Sequence, residues 1–126
     1  MSRMRLGLAL AAVATAMLVA ATAAPALCIR QTAAQQRARA DVIFDGVALE
    51  GPTATGVQRF KVSRYRKARG PVIVRVQTGN RVFADGSGST TSLSIRVRKG
   101  QRWRIFARGN PRKVLQTNIC DGSRPI

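Results

Sequence analysis

Residues 93–108 read Leu93-Ser94-Ile95-Arg96-Val97-Arg98-Lys99-Gly100-Gln101-Arg102-Trp103-Arg104-Ile105-Phe106-Ala107-Arg108, and their reading decides the fold. Apolar side chains fall on every second position on both sides of Lys99-Gly100, with basic or small polar residues between them except at Phe106. A period of two is the mark of a strand with one buried face, and Lys-Gly between two such runs reads as a turn. Leu93, Ile95 and Val97 are therefore predicted to point inward from one strand, and Trp103 and Ile105 from the next. Arg96, Arg98, Arg102, Arg104 and Arg108 then point outward.

The same alternation runs outward from this stretch in both directions. Asp41 to Leu49 reads as a first strand, with Val42 and Phe44 on one side and Val47 and Leu49 returned to that side by a slip at Asp45-Gly46. Such a slip predicts a bulge, which bends a strand. Val57 to Tyr65 places Phe60 and Val62 inward and Arg59 and Lys61 outward. A basic loop through Arg66, Lys67 and Arg69 leads into a strand with Val72, Val74 and Val76 inward and Arg75 outward. Thr78 to Thr91 is rich in Gly, Ser and Thr and is expected to be the longest loop. Lys113 to Cys120 supplies a last strand with Leu115 and Ile119. Before the strands, Thr32 to Ala40 joins strong helix formers to a Thr cap, predicting a short helix packed by its alanines. Five or six short strands, tight turns and one N-terminal helix describe a mainly β domain, a small closed OB-like barrel.

The chain has 126 residues, 22 Lys+Arg against 5 Asp+Glu, no histidine and two cysteines, with a formal net charge of +17. That length holds one domain. Lack of histidine removes the Ser/His/Asp triad, the Cys/His dyad and imidazole metal ligands. The composition predicts a non-enzymatic binding or structural protein without a cofactor or metal. Most of the charge is arginine, which stays cationic at every physiological pH, so the expected partner is anionic.

Residues 1–26 have the make-up of a signal peptide. Arg3 and Arg5 precede an uncharged run from Leu6 to Ala21, and two Ala-x-Ala sites follow, Ala21-Thr22-Ala23 and Ala24-Pro25-Ala26. Cleavage after Ala26 leaves residues 27–126 as the domain and predicts secretion or association with the cell envelope. Lipid attachment at Cys28 is the weaker reading, because Leu27 is bulky where lipidation wants a small residue. A membrane-tethered form is also weaker, since the run is short and rich in alanine. In an exported chain two thiols with no Cys-x-x-Cys spacing read as one disulfide, Cys28 to Cys120. Closing so long a loop is worth roughly 4–5 kcal/mol in the chain-entropy model.

Four landmarks fall in a recognisable order: Ala40-Asp41-Val42-Ile43-Phe44-Asp45-Gly46 after a short helix, Phe60-Lys61-Val62 running into Lys67-Ala68-Arg69-Gly70, Gly100 to Ala107, and Thr117-Asn118-Ile119-Cys120-Asp121-Gly122-Ser123-Arg124-Pro125. Together they resemble the small secreted bacterial proteins related to the tissue inhibitors of metalloproteinases and to netrin-like domains. The resemblance covers residues 28–125 and implies an OB-like barrel with its N-terminal cysteine tied to the body. The chain departs from that group in lacking a Cys-x-Cys opening and a mid-chain cysteine. In the animal inhibitors the amino group and carbonyl of the first cysteine chelate the protease zinc. That role at Cys28 would require cleavage after Leu27, so a protease partner is the less favoured expectation.

Arg59, Lys61, Arg66, Lys67, Arg69, Arg75, Arg96, Arg98, Arg102, Arg104 and Arg108 form the candidate anion-binding surface, because alternate strand residues share a face. Taken singly, each reads better as a solvated surface charge. Taken together, guanidinium forks suit phosphate and carboxylate oxygens. Trp103 and Phe106 beside these arginines, and Tyr65 near the basic loop, raise a second option, single-stranded nucleic acid on an OB-like barrel. Export restricts that option to binding in vitro and makes an anionic envelope polymer or lipid surface the expected partner.

Overall fold

The computed structural model describes residues 28–126. The signal segment and its cleavage after Ala26 lie outside the described residues. In chain order the elements are α1 (Ala33–Arg39), β1 (Val42–Ala48), β2 (Val57–Lys67), β3 (Ile73–Gln77), β4 (Arg81–Val82), β5 (Gly88–Ser89), β6 (Arg102–Ala107), β7 (Val114–Gln116) and β8 (Arg124–Pro125).

The helix begins where its sequence says it should. The Thr32 hydroxyl accepts from the Gln35 amide at 3.1 Å and the Gln35 side chain accepts from the Thr32 amide at 2.9 Å, a reciprocal capping box. The packing expected of its alanines is absent: none of its residues is buried. Seven residues are too few to persist on propensity alone. The helix is anchored instead by its cap and by Lys67, whose Nζ donates to the carbonyls of Arg37 and Ala38 near its C-terminal end at 2.8 and 3.4 Å.

Six strands form one curled sheet in the order β7-β3-β2-β1-β6-β8. All neighbours are antiparallel except β3 and β7, which run parallel. The sheet is a half-barrel, so the predicted closure is corrected. Across the gap between the two sides the strands make no ladder. Arg108 and Gln116 exchange a single pair of backbone bonds there, at 2.8 and 3.0 Å.

The concave side carries the core: Val42, Phe44, Phe60, Val74, Val76, Trp103, Ile105 and Leu115, with Ile95 and Val97 from the segment before β6. Phe44 and Phe60 meet edge to face, ring centroids 5.9 Å apart. Trp103 is a core residue whose indole N–H donates to Gln101 at 3.2 Å. A second, small cluster of Ala40, Ile43 and Phe106 sits on the opposite side of the sheet.

The bulge is found on a different strand from the one expected. β1 keeps strict alternation, with Val42, Phe44 and Ala48 in the core, while Val47 is only partly buried. The register against β6 is unbroken from Val42–Ala107 to Val47–Arg102. Against β2 it shifts twice, passing over Arg66 and Ser63. The extra residues therefore belong to β2, where they sharpen its twist and turn Arg66 and Ser63 toward Asp45.

Three further expectations are corrected. Residues 93–98 form no strand, although Ile95 and Val97 are buried as predicted. Since β1 occupies the pairing edge of β6, this segment is held by isolated bonds, Ile95 amide to Thr78 carbonyl at 3.3 Å and Ile119 amide to Leu93 carbonyl at 3.0 Å. It packs on the core without a ladder, and Leu93 remains 40% exposed. Val72 is 61% exposed, because β3 begins one residue later. The Gly/Ser/Thr-rich stretch contains a small hairpin, β4 with β5, whose turn is fastened by Asp85 accepting from the Ser87 amide and hydroxyl.

Cys28 and Cys120 are joined in a disulfide with Cα atoms 5.3 Å apart, as expected. Such a bond is compatible with an extracellular protein. Among the described residues no helix is long and apolar enough to cross a membrane.

Candidate anion-binding cleft

The convex face of the sheet is where the arginines gather. The cross-strand register builds it in rows: Arg75 opposite Arg59, then Ile73, Lys61, Val47 and Arg102 on four successive strands, then Arg64, Asp45, Arg104 and Arg124. Like charges placed directly opposite one another repel. Arg59 is relieved by Glu50, which accepts from its Nε at 3.1 Å and its terminal nitrogen at 3.2 Å, and this pairing holds the Glu50 carboxyl below its ordinary range.

Asp45 is the centre of the third row and one of the few buried polar residues. Its Oδ1 accepts from Arg104 Nε at 2.7 Å, and its Oδ2 accepts from Arg66 Nε at 2.9 Å and from a terminal nitrogen of Arg104 at 3.2 Å. The Arg104 hydrogen bonds pull the Asp45 carboxyl below the ordinary aspartate range; burial opposes this and Arg66 adds to it. Asp45 thus stays ionised and fixes two guanidiniums whose remaining N–H groups are left for other acceptors.

Those two arginines form part of a cleft of about 350 Å³ lined by Arg37, Ile43, Arg66, Lys67, Arg104, Phe106 and Arg124. The floor is apolar: Ile43 and Phe106 are 3% and 5% exposed. The rim is cationic, with Arg37 from the last turn of α1, Arg66 and Lys67 from the end of β2, Arg104 from β6 and Arg124 from β8. The Arg124 guanidinium lies over the Phe106 ring, 5.6 Å from its centroid, a cation–π contact that keeps the charge at the mouth.

The predicted surface residues divide among four places. Arg66, Lys67 and Arg104 converge on the cleft. Arg59, Lys61, Arg75 and Arg102 lie on the same convex face, farther along the strands. Arg69 is exposed in the β2–β3 turn, next to Ala68 in the left-handed region at φ 67°. Arg96, Arg98 and Arg108 are elsewhere: the first two on the unpaired segment, the third beside Asp121 at 3.5 Å. The strand register thus groups Arg59, Lys61, Arg75, Arg102 and Arg104, while Arg69, Arg96, Arg98 and Arg108 lie off the strands.

Arg37, Ile43, Asp45 and Arg124 escaped sequence reasoning. Arg37 carries the weak signal of a base in a helix's last turn. Arg124 carries none, since β8 is two residues long. Phe106 and Tyr65, read as surface aromatics, are committed elsewhere. Phe106 is the cleft floor, while Tyr65 packs on Phe44 and donates its hydroxyl to the Pro71 carbonyl at 2.7 Å. Among the described residues no three His, Cys, Asp or Glu side chains are grouped as a metal would need. In comparisons with known proteins, no family model, no curated protein and no solved structure matches the chain.

Proposed function

We propose that this is an exported, non-enzymatic binding protein whose cationic sheet face associates with anionic components of the cell envelope. One observation carries the reading: the strand register stacks Arg59, Lys61, Arg75, Arg102, Arg104 and Arg124 on one face, with the buried Asp45 answering only two of the cleft's five bases. A face of this kind has no use in burying itself, and it attracts polyanions over a Debye length. The export part of the reading rests on the 1–26 segment and is supported by the disulfide.

The relationship to netrin-like OB domains is part of the same proposal. It is supported by the β1-β2-β3 meander, the parallel β3–β7 pair, the β1–β6 pair and the tie from Cys28 to the body, all of which suit a partly open OB arrangement. The nucleic-acid alternative is disfavoured because the rings beside the basic strands are committed elsewhere: Trp103 and Phe106 are buried and Tyr65 packs on the core, while the exposed Phe83 lies in the β4–β5 turn.

Retention on an immobilised anionic polymer, followed across a salt series, tests the proposal. Many basic contacts release many counterions, so retention should fall steeply with salt. A variant with Lys61, Arg75 and Arg102 changed to glutamine should elute at much lower salt. Retention that ignores salt, or is unchanged in that variant, refutes it.

A further inference from the structure

We infer that the cleft over Ile43 and Phe106 is a binding site for a single phosphomonoester group, held by Arg37, Arg66, Arg104 and Arg124. This rests on the proposed anion-binding function and narrows it from a surface to a pocket. The volume, about 350 Å³, is that of a small-molecule site. A polymer needs a groove, whereas one head group fills this space. Charge selects the ligand further. Five bases line the cleft and the one carboxylate that engages them, Asp45, is spent on Arg66 and Arg104. Lys67 is partly occupied by the helix carbonyls. Arg37 and Arg124 have no carboxylate partner among the described ion pairs. A dianion answers such a surplus better than a monoanionic carboxylate or phosphodiester, and guanidinium forks fit its oxygens in pairs. The apolar floor suits the carbon skeleton attached to the phosphate.

The Arg104 hydrogen bonds hold the Asp45 carboxyl below its ordinary range, so it stays ionised near neutrality, and the chain has no histidine. The second proton of a phosphomonoester comes off near pH 6. Its binding should therefore weaken as pH falls below about 6, while that of a phosphodiester stays flat.

The test titrates the intact protein with glucose 6-phosphate by calorimetry, and measures sedimentation with phosphatidylcholine vesicles carrying either phosphatidate or phosphatidylglycerol. Arg37→Ala and Arg124→Ala remove cations outside the Asp45 ion pairs, and each should weaken phosphomonoester binding about tenfold. Binding of glucose 6-phosphate with a matching loss in both variants supports a soluble ligand. Binding of phosphatidate over phosphatidylglycerol vesicles with the same loss supports a lipid head group. No phosphomonoester binding in either arm, equal binding of the two vesicle types without binding of glucose 6-phosphate, or wild-type affinity in both variants overturns the inference. Salt-sensitive retention on the anionic polymer that survives such a failure leaves the broader function standing. Phosphate binding without that retention sinks only the broader one.

Discussion

Replacing Asp45 by asparagine is the sharpest probe of how this arginine-rich face is held together. The carboxylate accepts three hydrogen bonds from two guanidiniums at 2.7, 2.9 and 3.2 Å, and its side chain is 6% exposed. Breaking a fully buried ion pair costs about 3–5 kcal/mol, because the orphaned charge stays in the interior. Here the side chains of Arg66 and Arg104 are 36% and 24% exposed and can turn toward water. Asp45→Asn should therefore cost about 2–3 kcal/mol, or about 10–20 °C of Tm in a domain of this size. The loss should also depend on pH. In the folded state Arg104, helped by Arg66, holds the carboxyl below its unfolded value near 3.9. Its stabilisation is therefore complete above that unfolded value and disappears as pH falls through the lower, folded one. Urea unfolding followed by Trp103 fluorescence, for both proteins at several pH values, measures the gap directly. A difference under about 0.5 kcal/mol at neutral pH, or one that persists at pH values below both titrations, would refute the reasoning.

Two more perturbations test the frame of the domain. Changing Cys28 and Cys120 to serine opens a loop spanning 92 residues and should lower stability by about 4–5 kcal/mol, read as a large drop in urea midpoint against the oxidised protein. Gln58 is fully buried; its amide donates to the carbonyls of Glu50 and Val97 at 3.1 and 3.0 Å and its oxygen accepts from Thr78 at 2.7 Å. Gln58→Leu leaves those carbonyls unanswered and should cost about 2–4 kcal/mol with faster amide exchange around Ile95, and wild-type exchange there would contradict the role given to it.

Much of this architecture was legible because burial imposes a phase. Phe60, Val74, Val76, Trp103, Ile105 and Leu115 all point as alternation predicted, and the Thr32 cap and the cysteine pair declared themselves in the sequence. The failures share a cause, which is that alternation reports which side is buried and not what the backbone pairs with. Residues 93–98 bury Ile95 and Val97 without a ladder, and the bulge lies in β2 because only the partner strand shows where register is lost. The candidate site was half visible. Arg104 came from an outward strand position and Arg66 and Lys67 from a basic run read as a loop, whereas Arg37 and Arg124 are brought in by a helix end and a two-residue strand that no periodicity announces.

The position of Cys120 has a consequence for biogenesis. Its bond to Cys28 needs residue 120, and the fifth base of the cleft, Arg124, enters four residues later on β8. Sealing of the covalent ring and completion of the basic cleft thus fall within the same short stretch of synthesis. Oxidation at Cys120 therefore marks chains in which β1 to β7 have already been made, with Arg124 alone of the cleft's five bases still to come.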